Sequence, residues 1–243
     1  TDAGAQATQS HTAALAGQDA VYDAAFQRAG IIRVDTVAQL FHMAQALAMQ
    51  ALPRGKQLAI LTNAGGPGVL ATDYLIQHGG LLASLTEKTK ELLNEELPTG
   101  WKTENPVDLL EGANRDRYTD ALQTMMKDAT VDGALVILTP QSMNDPEAIA
   151  KGVVSVSRRT QKTILASWMG EADVTTGREC LEEGLVPNYR YPESAVDVFL
   201  RMARYRKDLE LLYETPSEMP DLFQPDRGAA QALISRAYRE NRL

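Results

Sequence analysis

The sequence predicts an α/β fold, a doubly wound parallel sheet with part of a second α/β subdomain ahead of it. Three observations carry that prediction. From residue 56 to residue 213, short apolar runs alternate with amphipathic stretches of helical period. The runs are apolar throughout rather than alternating, the pattern of strands covered on both faces by right-handed crossovers. Gly and Pro punctuate the changes of period, as at Leu52-Pro53-Arg54-Gly55 and Gly79-Gly80.

The first 52 residues open with a polar, small-residue stretch, TDAGAQATQS. Gln18 to Arg28 has helical spacing and closes on Ala29-Gly30, a residue type suited to a helix C-terminus. Ile31-Ile32-Arg33-Val34 reads as a strand. Asp35 or Thr36 can cap the next helix, Val37 to Met49, whose apolar face is expected at Leu40, Phe41, Ala44 and Leu47. The Pro-Gly break at 53–55 marks a boundary between residues 1–52 and 55–213.

The second region reads as strand Leu58–Thr62, helix Pro67–His78, strand Leu81–Leu85 and helix Glu87–Leu97. A loop and the helix Arg115–Asp128 lead to strand Ala134–Leu138 and helix Pro146–Arg158. Strand Ile164–Trp168, helix Val174–Glu183, a short strand Val186–Tyr189 and a long helix from Glu193 to about Tyr213 complete it. Five such strands suggest a flavodoxin-like doubly wound sheet. Residues 214–243 begin as a proline-bearing linker, TPSEMPDLFQPD, and end as a helical pattern. Both ends of the sequence are expected to continue into a longer protein.

Composition narrows the functions available. The hydrophobic share of 44% and charged share of 23% are those of an ordinary soluble domain, with enough chain to bury a core. A net charge of −8 argues against a nucleic-acid partner. No apolar run approaches the ~20 residues of a membrane span, and no signal peptide is visible. The single cysteine, Cys180, cannot form an intramolecular disulfide and fits a reducing compartment, so a cytoplasmic protein is expected. It falls in a helical pattern and reads as a packing residue. No metal-ligand spacing is present.

In parallel α/β sheets, ligands bind beyond the carboxyl ends of the strands. There the first strand of the second region meets Asn63-Ala64-Gly65-Gly66-Pro67-Gly68. Glycines let backbone amides approach an anion, Pro67 suits a helix start, and the helix N-terminus favours a phosphate or carboxylate. Tight packing alone would also explain such a turn. The segment lacks the Gly-Lys-Ser/Thr of a P-loop and the spacing of a dinucleotide fingerprint. Of three histidines, His42 and His78 fall in helical patterns and read as surface or helix-end residues. His11, in Ser10-His11-Thr12 with Ala13, Ala14 and Gly17 nearby, has room for a phosphoryl group and a side chain able to act as nucleophile near neutral pH. Its plainer reading is a polar loop residue.

SHTAALAG followed by QDAVYDAAFQRAGIIRVDT resembles the phosphohistidine segment of the NDP-forming (ADP-forming) acyl-CoA synthetases, and more distantly that of the succinyl-CoA synthetase α chain. The resemblance continues through NAGGPG, NPVDL, LVILTPQSMNDPE and ASWMGEADVTTGRECLEEGLVPNYRYPESAV. It implies a ligase in which an acyl phosphate hands its phosphoryl group to His11, and a swinging loop takes it to ADP on an ATP-grasp domain. It implies CoA, acyl-CoA and phosphate as ligands, with Mg-ATP or ADP bound outside this chain. It also implies partners in a CoA-binding and an ATP-grasp domain, and an oligomer.

On that resemblance the helix after Gly65-Gly66-Pro67-Gly68 supplies half of a phosphate clamp, and this chain alone is expected to be inactive. Ser10, Thr12, Asn105, Asp108, Thr139 and Gln141 fall on supporting loops. Asp108 could orient its loop by bonding backbone amides or simply form a turn. Met169-Gly170-Glu171 departs from the paired glycines common in the family, and Ala13 from a frequent glycine. Residues 1–52 then correspond to a CoA-ligase subdomain tail, 55–213 to a succinyl-CoA synthetase-like subdomain, and 214–243 to the lead-in to an ATP-grasp region. A second reading keeps the fold but makes the chain the regulatory, acyl-CoA-sensing region of a lysine acetyltransferase fused to a GNAT domain. A receiver-type module is disfavoured, because Thr62-Asn63 and Thr139-Pro140 stand where its acidic residues would be needed.

Overall fold

The computed structural model describes residues 18–98, 104–214 and 226–240. The chain divides into a unit spanning Thr1–Leu212 and a second spanning Tyr213–Leu243. In the first unit, α1 (Asp19–Ala29) and α2 (Val37–Met49) precede β1 (Gln57–Thr62), α3 (Gly65–Gln77) and β2 (Leu81–Leu82). Then come α4 (Glu87–Glu96), β3 (Val107–Asp108), α5 (Arg115–Lys127), β4 (Gly133–Leu138), α6 (Pro146–Ser157) and β5 (Thr163–Trp168). A 3₁₀ turn at Ala172–Val174 leads into α7 (Thr175–Glu183), and α8 (Pro192–Tyr213) closes the series. In the second unit, α9 (Arg227–Arg239) is capped by Asp226, which accepts from the Ala229 amide at 2.9 Å, and buries none of its residues.

Every strand pairing is parallel, in the order β2-β1-β4-β5, with β3 also on β1. Side chains alternate across the sheet, as the period of two requires. Ala59 and Leu61 of β1 join Val136 and Ala166 in a core packed by α5 and α6. Leu58 and Ile60 join Leu135 and Leu165 in a second core under Ala71 and Leu75 of α3, Met43 and Ala46 of α2, and Phe199 and Met202 of α8. The expected three-layer, doubly wound α/β architecture is present.

Three expected strands are corrected. Leu81–Leu85 is a strand only at Leu81–Leu82, because the upper half of that edge of β1 is taken by β3, at Leu61↔Val107 and Thr62↔Asp108. Val186–Tyr189 makes a single parallel bridge to β5, at Ala166↔Asn188. Pro187 has no amide to offer a ladder, and the Trp168 amide donates instead to the Asn188 side chain at 2.8 Å. Ile31–Val34 forms no ladder. Ile32 and Val34 pack against the second core while Ile31 stays exposed, so the strand-like alternation is real but has no partner strand among the described residues.

α2 runs over the expected residues and is capped by Thr36, whose hydroxyl accepts from the Gln39 amide at 3.1 Å. Its burial is reversed, however. Met43 and Ala46 are buried, whereas Leu40 is 54% and Phe41 69% exposed, and Leu47 is exposed too. A helix apolar on nearly all sides carries no period that says which side is inside.

Asp128, just past α5, fastens the amino-terminal side of this architecture. One carboxylate oxygen accepts from the Thr86 amide and hydroxyl at 2.8 and 2.9 Å, the other from the Thr130 amide and hydroxyl at 2.9 Å each. Burial alone would push its pKa up; the hydroxyl of Thr89 and the bonds from Thr130 and Thr86 outweigh that and hold it well below the usual carboxylate range. A folded-state pKa below the unfolded value adds stability that is present above pH ~4 and lost as pH falls. Asp128→Ala should lower the unfolding free energy by about 2–4 kcal/mol at pH 7, measured in urea. The difference from wild type should shrink below pH ~4.

Candidate functional site

The carboxyl ends of β1, β3 and β4 converge on the start of α3. α3 begins at Gly65 with Ala64 at its N-cap, a residue with no side chain to accept from the first-turn amides. Gly65 and Gly66 are exposed, and nothing lies within 4 Å of where a Gly66 Cβ would stand. Gly68 is buried for a packing reason: a Cβ there would lie 3.1 Å from the Thr62 methyl and 3.6 Å from Pro106 Cβ. The Thr62 hydroxyl accepts from the Ala64 amide at 3.0 Å and donates to the Ala64 carbonyl at 2.8 Å, fixing the turn before the helix. Uncapped first-turn amides together with the positive end of the helix dipole are an arrangement that can cradle an anion.

Side-chain amides staple the loops beneath this cradle. Asn63, nearly fully buried, donates to the Thr139 carbonyl at 2.8 Å and accepts from the Thr139 amide at 2.9 Å. It also donates to Asn144 Oδ1 at 3.3 Å, and Asn144 donates to the Ala113 carbonyl at 2.6 Å. Gln141 accepts from the Gly112 amide at 3.1 Å. Asn63, Thr139 and Gln141 are therefore brought together, with Asn63 and Gln141 holding backbone. Asn144, which the sequence showed only as a polar loop residue in SMNDP, is the link that pattern reading missed.

Asn105 sits lower, in the gap between β2 and β3. It accepts from the Ile60 amide at 2.8 Å and donates to the Leu58 carbonyl at 2.8 Å and the Ala83 carbonyl at 3.1 Å. Its carboxamide takes the place of a missing strand residue, and the Asn105–Pro106 peptide bond that follows is cis. Asp108 ends β3. Its Oδ1 accepts from the amide of Leu110 at 2.9 Å, which orients that loop; Leu110 itself has a φ of 63°. Its Oδ2 stands beside the cradle, 3.5 Å from where a Gly65 Cβ would be. A carboxylate there can accept a hydrogen bond from a protonated group at the anion site and repels a bare dianion.

At the ends of β4 and β5, the Thr139 and Ser167 hydroxyls are, among the described residues, buried side-chain oxygens without a partner. In the loop after β5, Glu171 pairs with Arg190, and Arg178 donates to the carbonyls of Trp168 and Gly170. His42 lies edge-on to the Tyr189 ring, and His78 stacks on Tyr74 at the end of α3; both are away from the cradle's amides in sequence and role. Cys180 is half-buried against the core, and burial pushes its thiol pKa up, which disfavours the nucleophilic thiolate. Ser10, His11 and Thr12 lie outside the described residues. Among the described residues no group of His, Cys, Asp and Glu could hold a metal ion.

Residues 1–47 match the family model for a succinyl-CoA ligase like flavodoxin domain, and residues 58–211 match that for a Ligase-CoA domain. The chain is similar to the ADP-forming 4-hydroxybutyrate–CoA ligase of Nitrosopumilus maritimus, 33% identical over 98% of this chain and 34% of that protein. It is 32% identical to the α subunit of ADP-forming acetate–CoA ligase II of Pyrococcus furiosus, over 86% of this chain and 46% of that subunit. Among solved structures it superposes on acetyl-coenzyme A synthetase 1 of Ca. Korarchaeum cryptofilum, in complex with phosphate and ADP. That match has a TM-score of 0.80 and 28% identity, and covers 88% of this chain and 47% of the other. The chain thus spans about a third to a half of the length of these curated relatives.

The bridging role of Asn105 makes a specific forecast. Asn105→Ala leaves the Ile60 amide and two carbonyls without this partner and should cost about 2–3 kcal/mol. Asn105→Asp should cost more, although it still accepts from Ile60, because it sets a carboxylate oxygen against the Leu58 and Ala83 carbonyls. Urea unfolding of both variants checks the order.

Proposed function

The chain belongs to the NDP-forming acyl-CoA synthetase family, and from that premise we propose that it is the part of an ADP-forming acyl-CoA ligase that carries the phosphohistidine and one half of the phosphate clamp. The observation that carries this reading is the exposed, uncapped Gly65-Gly66 start of α3 on its stapled platform. Amides and a helix dipole suit the task, since phosphoryl transfer asks mainly for positioning and charge stabilisation.

Acyl-CoA and phosphate give acyl phosphate and CoA, with the phosphate held at the cradle. The His11 imidazole then attacks phosphorus; an N–P bond forms as the P–O bond to the acyl group breaks, and the carboxylate leaves. ADP takes the phosphoryl group from His11 on an ATP-grasp domain, giving ATP, with magnesium as counter-ion. Ser10 and Thr12 flank the carrier histidine, while Thr139, Gln141, Asn63, Asn105 and Asp108 shape the cradle's surroundings. In this assignment residues 1–52 close a CoA-ligase subdomain, 55–213 form the succinyl-CoA synthetase-like subdomain, and 214–243 lead toward the ATP-grasp region. The partners are the CoA-binding and ATP-grasp domains, in an oligomeric cytoplasmic enzyme. Among the described residues no helix is long and apolar enough to cross a membrane.

In the assembled enzyme, incubation with magnesium and γ-labelled ATP should give an acid-labile, base-stable label that acid plus CoA discharges. His11→Ala should abolish it. A label that persists in His11→Ala overturns the assignment of the carrier. Gly66→Asp puts a carboxylate at the open start of α3. It should stabilise the helix by about 0.3–1 kcal/mol while lowering phosphate affinity at least about tenfold. Unchanged phosphate affinity in that variant would remove the cradle from the mechanism.

A further inference from the structure

The start of α3 offers an anion fewer donors than a helix start ordinarily does. The first four amides of an α-helix have no partner within it. Here the Ala64 amide, at the N-cap, donates to the Thr62 hydroxyl at 3.0 Å, and Pro67, at the third helical position, has no amide. That leaves the amides of Gly65 and Gly66. A tetrahedral oxyanion held by these amides still has oxygens that must meet other groups at the rim.

One group at that rim is a carboxylate. Asp108 is fixed through its backbone, since β3 pairs it with Thr62 and the next amide, of Leu109, donates to the Thr62 carbonyl at 2.7 Å. Its Oδ1 is committed to the Leu110 amide at 2.9 Å, and its Oδ2 lies 3.5 Å from the place of a Gly65 Cβ. Because the Cα–Cβ bonds of a helix tilt toward its N-terminus, contact with that place puts Oδ2 at the amide end of α3. Among the described residues no ion pair involves Asp108. Arg117, on the helix that follows, donates to the Leu109 carbonyl at 3.0 Å instead. The rim therefore holds an acceptor whose charge no described neighbour neutralises.

We propose that Asp108 is the specificity residue of the cradle: its Oδ2 accepts the P–O–H hydrogen of a protonated phosphate, so the site takes phosphate or arsenate and rejects sulfate. This role rests on the proposed function, which places inorganic phosphate at Gly65 and Gly66. Donors beside one acceptor match an anion that carries both bare oxygens and a hydroxyl. At neutral pH phosphate and arsenate keep a proton, whereas sulfate has none. Sulfate sets a bare oxygen against Oδ2, which leaves the carboxylate without a donor and adds repulsion between like charges. A site built to bond a substrate hydroxyl rejects the analogue lacking it by about 10⁴-fold or more; Asp108, only half-buried, should give about 100-fold. The third contact also orients the anion, because two amides alone leave it free to turn about the line joining them.

Asp108→Asn is the deciding variant. Its side-chain oxygen can still accept from the Leu110 amide, while its NH₂ stands where Oδ2 was and offers a donor. Affinities for sodium phosphate, arsenate and sulfate are measured on the assembled enzyme by titration calorimetry. Wild type should bind phosphate and arsenate alike, and sulfate about 100-fold more weakly. In Asp108→Asn, phosphate should weaken about three- to tenfold and sulfate should tighten at least about tenfold, with the urea midpoint unchanged. A variant that merely loosens the loop weakens both anions together; that result overturns the role of Asp108, as does a phosphate-to-sulfate ratio that does not move. Gly66→Asp separates this role from the proposed function. If it lowers phosphate affinity while Asp108→Asn leaves the ratio intact, the cradle stands and Asp108 is not its specificity residue. If Gly66→Asp leaves phosphate binding unchanged, phosphate is not held at the cradle, and both readings fall together.

Discussion

The structure depends on one obligation: each buried backbone amide and carbonyl of a small parallel sheet must find a partner. Inside the sheet, β1, β4 and β5 meet it with each other. At the two edges they cannot, and side-chain carboxamides complete the pattern. Asn105 fills the gap between β2 and β3 on one edge. On the other, Gln50 accepts from the Ile164 amide at 2.9 Å and Asn188 from the Trp168 amide, above and below the lone bridge at Ala166. Gln50 also donates to the Leu185 carbonyl at 2.6 Å, which ties the end of α2 to the turn after α7. Side chains in these places satisfy backbone groups of β1 and β5 that no neighbouring strand reaches.

The same device sets the stiffness of the candidate site. Asn63, Gln141 and Asn144 bond three loops to one another beneath the start of α3, so the first-turn amides are held by a platform that does not itself need the ligand. Preorganised donors of this kind stabilise charge without reorganising when it appears. Asp108 contributes through both oxygens: one holds the Leu110 turn, and the other lies at the rim of the cradle. The glycines divide their work as well, Gly66 opening the cradle and Gly68 letting the helix sit against Thr62 and Pro106.

How much was legible follows from where each element gets its partners. β1, β4 and β5 and the helices α2 to α8 lie where periodicity placed them, because long buried runs and capped amphipathic stretches carry their own signal. The helix start was read at Pro67, but α3 begins two residues earlier, so Gly65 and Gly66 form its first turn rather than a loop ahead of it. Ile31–Val34 and Val186–Tyr189 had strand composition but lacked a free ladder, a property of neighbours rather than of the segments. β3, of two residues, is too short to leave a pattern. The inward side of α2 was misread because Leu40, Phe41, Met43, Ala46 and Leu47 surround the helix. Nor does a lone Asn or Gln reveal that its side chain replaces a strand. Asn105 was selected for its motif, and its backbone-bridging geometry became visible only in three dimensions.

Two kinds of cohesion divide the first unit. The sheet layers are held by burial, whereas α1, which falls in the match to the flavodoxin domain, meets them through the Arg33 pairs with Asp19 and Asp23, the Gln27–Asp208 bond and the close approach of Gly30 to Leu212. Because Arg33 sits on a segment that Arg201 ties to α8 and that Ile32 and Val34 anchor in the second core, its ion pairs with Asp19 and Asp23 pass that anchorage on to α1.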